Sequence, residues 1–274
     1  MTPAYITKSV RREHARDDLQ LPIAQRVREL DGKPKASDYD STVQEVLALA
    51  VQYYKGRLSS EDAFPSKMAE LHWAKHAWTK ARVELDVDLQ YNGELIKMIA
   101  GYSANLRGEI KTTARGLVAQ AYGFDTSANP TVVARNRDRV TALKLKDTFV
   151  WRGRSKVLAS RSGLYEAKIF QLVINKVYFK SSSDDGVTLR SYYRPFPIVG
   201  IALIATAVQC AIDEWTTGHY KRVTFSDAVY SKEYQRHHQQ LTGYVKKSSA
   251  IVENICTRMF EDGWCVIVAR CCSF

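Results

Sequence analysis

Cysteine is scarce and odd in number, five in 274 residues. That excludes a disulfide framework as the organising device and reads as reduced thiols inside a cell. The first twenty residues, MTPAYITKSVRREHARDDLQ, carry no apolar run after their basic residues, so no secretory signal is expected. There is no GxGxxG and no Walker-type phosphate loop; WRGRS, around Gly153, lacks the glycine spacing of a nucleotide cradle. No GxSxG occurs, and no cysteine stands in a recognisable nucleophile signature. Internal repeats and long Pro/Gly-rich linkers are also missing, which leaves one domain as the economical organisation. Acidic residues are outnumbered, 29 against 40 Lys and Arg, for a formal charge of +11. An excess of that size favours contact with polyanions and says nothing about fold.

What is present is a helical period. In DSTVQEVLALAVQYYKG, Asp40 or Ser41 is placed to cap, and Val43, Val46, Leu47, Ala50, Val51 and Tyr54 recur on one face. A second helix is expected from about Pro65 through SKMAELHWAKHAWTKARVEL. A third opens at Asn92, its buried stripe traced by Ile96, Ile99, Leu106, Ile110, Ala114, Leu117 and Ala121. Asn129-Pro130 offers a cap with proline in the first turn of a helix running to Asp147. TFVW reads as a short extended segment, Ser162 as the start of the next helix, KRVTFS as extended, and Ser226 as the cap of a helical C-terminal third.

One long hydrophobic run stands out. From Pro195 to Ile212, 18 residues pass without a charge, at the lower edge of what crosses a bilayer as a helix. Two of its first three residues are proline, so the helix is expected to start near Pro197 and to be too short for a span. A helix apolar on every side is what the centre of a large helical domain requires. The acidic pair that ends it, Asp213-Glu214, opposes the helix dipole and needs an internal cation, for which Arg107 is the candidate.

The motifs that carry chemistry elsewhere are weak here. HWAKH sets His72 and His76 one turn apart, but Trp73 stands where a zincin needs Glu, so a surface or half-buried pair is the better reading. The adjacent His237 and His238 point about 100° apart on a helix. Cys271 lies four residues from the end of RCCSF, a poor prenylation box; a tail docked by Val266, Ile267 and Val268 is expected instead. No catalytic residue, metal ligand or cofactor is assigned.

Charge placement is the most informative feature. Residues 135–161, RNRDRVTALKLKDTFVWRGRSKVLASR, hold Arg135, Arg137, Arg139, Lys144, Lys146, Arg152, Arg154, Lys156 and Arg161 against Asp138 and Asp147. These 27 residues supply +7 of the net charge. Arg135 and Arg139 are a turn apart, Lys146 is expected near the same face, and Trp151 is placed to stack on a base. Clustered cations of this kind track phosphates, because each phosphate neutralised releases condensed counterions. A solvated basic face that keeps the protein in solution accounts for the same residues. No helix-turn-helix glycine, RNP motif or zinc finger sharpens the choice.

The succession LRGEIKTTARGLVAQAYG, a basic helix, GLYEAKIFQLVINKVYF, PFPIVGIALIATAVQCAIDEW and VTFSDAVYSKEYQRHHQQL resembles a family abundant in mushroom-forming fungi. That family is catalogued as a domain of unknown function, number six-five-three-two. The resemblance covers roughly residues 40–262 and is carried by Pro197, Ala202, Ala205, Ala211, Glu214, Trp215, Phe225, Ser226, Tyr230, Tyr234 and His237. It implies a helical, intracellular, fungal protein and brings no activity or cofactor with it.

The expected fold is therefore all-α: a single compact multi-helix domain with minor short extended segments. Its expected parts are a loose basic segment over 1–37, the helical domain over 38–263, and a docked or flexible tail over 264–274. The leading expectation for function is a non-enzymatic binding module in nucleus or cytoplasm, engaging nucleic acid or another polyanion through 135–161, with no membrane span. A protein–protein scaffold with a solubilising basic face is the second. An unrecognised enzyme is the third, with His237, Glu214 and Tyr230 as first suspects.

Overall fold

Asp40 begins the ordered helical body: its carboxylate accepts from the Val43 N–H and starts α1 (Ser41–Ser60). All six residues of the anticipated stripe, Val43 to Tyr54, are buried. In the computed structural model, which describes residues 21–28 and 32–271, Ser66 caps α2 (Lys67–Glu84) in the same way. Asn92 caps α3 (Gly93–Tyr122), accepting from the Glu94 and Leu95 N–H groups. Gly123, at φ 77°, closes α3 in the left-handed conformation that a residue without Cβ adopts freely.

Asn129 caps α4 (Pro130–Lys144), with Pro130 in the first turn. The helix does not reach Asp147. Lys146 and Asp147 both stand at φ 50°, and the chain continues as tight turns to Val150. A hairpin follows, β1 (Trp151–Gly153) antiparallel to β2 (Ser162–Leu164), with Trp151 opposite Leu164 and Gly153 opposite Ser162. Ser162 thus sits in a strand instead of opening a helix; α5 starts later and spans Lys168–Val177. Two single turns, α6 (Asp185–Thr188) and α7 (Arg190–Tyr193), lead into α8 (Ile198–Asp213).

Pro197 stands immediately before α8, and every residue from Val199 to Ile212 is buried. The charge-free run is the central helix of the core, surrounded by α1, α3, α5 and α9 (Asp227–Lys247). No helix among the described residues is long and apolar enough to cross a membrane. Residues 221–226, read as extended, join no strand, and Ser226 precedes α9 without a side-chain capping bond. The fold is all-α, with ten helices and one small hairpin among the described residues.

Parts of both end segments fall within the described residues. Within the segment expected to be loose, residues 21–28 are held: Ala24 donates to the Gln90 carbonyl, Gln90 to that of Pro22, and Arg26 pairs with Glu94. At the other end residues 264–271 continue α10 (Ser249–Cys271), with Ile267 buried, Val266 half-buried and Val268 exposed. Residues 1–20, read as lacking a secretory signal, lie outside the described residues. So do residues 272–274 and the Cys271 side chain, on which the lipidation question turned.

Most of the residues that carried the family resemblance are core, while Pro197, Phe225 and Ser226 are half-buried. Ala202, Ala205 and Ala211 are fully buried on α8. The Trp215 ring stacks on Phe124 at 5.0 Å. Phe225 lies 5.1 Å from Tyr230 and 6.2 Å from Phe64, and the Tyr234 hydroxyl accepts from the Ala63 N–H. Glu214 is buried and held by Lys111 and Arg115, one and two turns beyond the Arg107 that was expected. Arg107 is used otherwise, donating to the Ala63 carbonyl and pairing with Asp227.

Candidate polyanion interface

The last turns of α3 do not bury the whole of their apolar face. Val118 and Tyr122 turn into the core, whereas Leu117 and Ala121, expected to be buried, are half-covered and line a groove. A helix of 3.6 residues per turn drifts relative to a seven-residue stripe, so a long helix rotates its outer members to the edge. Across the groove lie Ala167, Lys168, Ile169, Leu172 and Lys176 on or beside α5, with Trp151, Arg152 and Arg154 of the hairpin closing it. The enclosed volume is about 680 Å³.

A second groove of about 570 Å³ adjoins the first, and Tyr122 and Arg154 line both. Its floor is Ala142, Leu143 and Leu145 at the end of α4, together with Thr148; its rim is Arg139, Arg154, Ser155, Lys156 and Arg161. The two grooves together are lined by seven Lys and Arg and by no Asp or Glu.

Several of these cations also build the site. Arg161 is nearly buried and donates to the carbonyls of Ser155 and Lys146, each at 3.0 Å, pinning the 146–161 segment on itself. Arg139 donates to the Gly123 carbonyl at the end of α3, where a cation suits the helix dipole. Arg152 pairs with Glu166 at 3.4 Å. Tyr122 donates to the Phe149 carbonyl at 2.8 Å, and burial pushes its hydroxyl pKa up, so it stays a neutral donor. Arg154 is exposed, its guanidinium carbon 5.0 Å from the centre of the Tyr122 ring. Lys156, Lys168 and Lys176 are exposed and, like Arg154, have no hydrogen-bond or ion-pair partner among the described residues.

Of the ten residues singled out in the sequence, Arg139, Trp151, Arg152, Arg154, Lys156 and Arg161 therefore come together. The other four do not. The left-handed turn at Lys146 and Asp147 breaks the helical register, so Lys146 leaves the face of Arg139 and joins Lys144 in another notch. That notch also holds Arg236, paired with the carboxylates of both Asp147 and Glu233, and Lys144 pairs with Asp213 at 2.6 Å. Arg135 pairs with Asp125 at 3.5 Å, Arg137 is exposed, and neither lines a groove. Lys168 and Lys176 were missed. Their signal was present: Lys168, Leu172 and Lys176 follow one another at four-residue spacing, so the two lysines stand two turns apart on a single face.

The residues suspected of catalysis are not assembled. His237 is fully buried, Nδ1 3.2 Å from the Tyr165 hydroxyl and Nε2 3.0 Å from Gln209 Oε1; burial and then Arg236 bring its pKa down to about 4. Glu214 belongs to the ion cluster with Lys111 and Arg115. Tyr230 donates to Asp213 at 3.0 Å. His72 and His76 are exposed on α2, and no three His, Cys, Asp or Glu side chains converge as a metal site among the described residues.

A family model described as a domain of unknown function (DUF6532) matches residues 49–244, which includes the whole of both grooves. No curated protein and no solved structure matches the chain.

Proposed function

The chain belongs to the DUF6532 family, and since that family's description assigns no activity, we propose on the geometry that it is a non-enzymatic helical binding module for nucleic acid or a similar polyanion. One observation carries this reading: two adjoining grooves are lined by seven cations and no carboxylate. Unopposed cations at a concave surface focus positive potential, and phosphates that enter release their counterions. Side chains already spent on internal pairs contribute little to such a field. Arg154, Lys156, Lys168 and Lys176, which have no such pairs, contribute most. We place the protein inside a fungal cell, in nucleus or cytoplasm. Cys210, Cys256 and Cys265 are unpaired thiols, in keeping with a reducing compartment.

The test is retention of the full chain on heparin and on immobilised nucleic acid, titrated with salt. Affinity is expected to fall steeply and linearly on a log–log plot, with a slope set by the number of phosphates neutralised. Changing Lys156, Lys168 and Lys176 together to Glu is expected to abolish retention without loss of helical content, because all three are exposed. Unchanged retention after that reversal would refute the reading and favour a scaffold whose charges only solubilise it.

A further inference from the structure

Resting on the polyanion reading, we infer that Arg154, held over the ring of Tyr122, is a stacking platform for an unpaired base, and that the polyanion is therefore a single-stranded nucleic acid lying across both grooves. Three observations converge on Arg154. Its guanidinium is exposed and lies over the Tyr122 ring, 5.0 Å from the ring centre, so it has an aromatic surface on one side and is open to solvent. It has no hydrogen bond or ion pair among the described residues, which leaves its donors for phosphate. With Tyr122 it lines both grooves, so a strand passing from one to the other crosses it. Planar guanidinium groups stack on bases as aromatic rings do, and Tyr122 beneath restrains the plane in advance.

The floors of the grooves decide between single strand and duplex. Leu117, Ala121, Ile169 and Leu172 floor one; Ala142, Leu143 and Leu145 floor the other. A duplex presents phosphates outward and keeps its bases stacked inside, so it would touch the cationic rims and leave these floors in water. An unpaired strand places bases on the apolar floors and phosphates on the rims. Trp151, half-buried in the wider groove, supplies an aromatic edge beside the platform.

The experiment compares wild type with Arg154→Lys on the full chain. The probes are a fluorescent oligothymidylate of about 12 nucleotides, within the span of a single-strand site, a duplex of equal length, heparin, and vesicles of anionic lipid. Lysine keeps the charge and loses the plane. The variant is expected to bind the single strand about tenfold more weakly, the scale of one lost stacking contact. Its salt slope and its heparin retention should match wild type, because the charge count is the same. A 2-aminopurine base in the strand should be quenched on binding wild type and less so on binding the variant. Equal single-strand affinity and equal quenching in the two proteins would overturn the inference. So would wild type binding the duplex, or anionic vesicles, as tightly as the single strand. Those results would leave polyanion binding intact, whereas wild type retained by none of the probes would overturn the polyanion reading itself.

Discussion

The ammonium of Lys111 and the carboxylate of Glu214 lie 2.7 Å apart with side-chain exposures of 3% and 0%, so both charges are all but removed from water. Arg115 adds bonds from Nε to both Glu214 oxygens at 3.0 and 3.1 Å, and the Val223 N–H donates at 3.2 Å. Burial raises the Glu214 pKa, but the bonds from Arg115, Lys111 and Val223 outweigh it, and the net shift is downward.

The cluster is therefore asymmetric. Lys111→Met leaves Glu214 with Arg115 and a backbone donor. Glu214→Gln leaves a buried ammonium facing a neutral amide. The second change is expected to cost about 3–5 kcal/mol and the first clearly less, read as urea midpoints at pH 7. A carboxylate whose folded pKa is depressed stabilises above its unfolded value and loses that contribution as pH falls through the folded one. Wild-type stability should accordingly drop below about pH 4, and Glu214→Gln should flatten that part of the profile.

Ile204, at the middle of α8, is wholly out of contact with water. Ile204→Asp would place an unpaired carboxylate among Ala, Val and Leu, a cost of several kcal/mol, on the order of the stability of a domain. Loss of cooperative thermal unfolding by circular dichroism is the expected result. Ile204→Val removes one methylene and should cost only about 0.5–1.5 kcal/mol.

The helices, three of their caps and the central position of α8 were legible in the sequence because each depends on a local rule: spacing of apolar residues, an oxygen placed before the first turn, a proline before a run. The partner of Glu214 was half legible. Arg107, Lys111 and Arg115 share one face of α3, so periodicity identifies the face, while the level along the axis depends on how α8 sits against it. The break at Lys146 and Asp147 left no trace, since neither residue type favours a positive φ enough to announce it; Asp147 is held there by Arg236 and Gln240 from α9. Lys168 and Lys176 stayed outside the basic tract because only the packing of α3 on α5 brings them to it.

His237 gives a second dependence on pH, in a different window. Burial, then Arg236, lowers its pKa to about 4, against the opposing effect of Asp147 and Glu233. A histidine with a folded pKa below its unfolded value of about 6.5 binds protons preferentially when unfolded. Stability is thus full above about pH 6.5 and declines as pH falls from there toward 4. His237→Gln, which does not titrate, should lower stability at pH 7 by losing part of the contact set with Tyr165 and Gln209. It should also remove the slope between pH 6.5 and 4, and a slope that persists in the variant would assign it to another group.

The division of the basic tract can be tested directly. Arg135 and Arg137 stand on α4 away from both grooves, and Arg135 is paired with Asp125, whereas Lys168 and Lys176 line the wider groove without partners. Two double variants change charge by the same amount: Arg135→Glu with Arg137→Glu, and Lys168→Glu with Lys176→Glu. If only net charge mattered, both would weaken nucleic-acid retention equally and change its salt dependence alike. If the grooves are where phosphates bind, the lysine pair should lose most of the affinity, and its salt slope should shrink by about 0.7–0.9 for each phosphate contact removed. The arginine pair should keep a slope near that of wild type, with only the modest general loss expected of a protein whose net charge has fallen by four. Both pairs are exposed, so their melting temperatures should stay close to wild type, and a difference in retention then reads position, not stability.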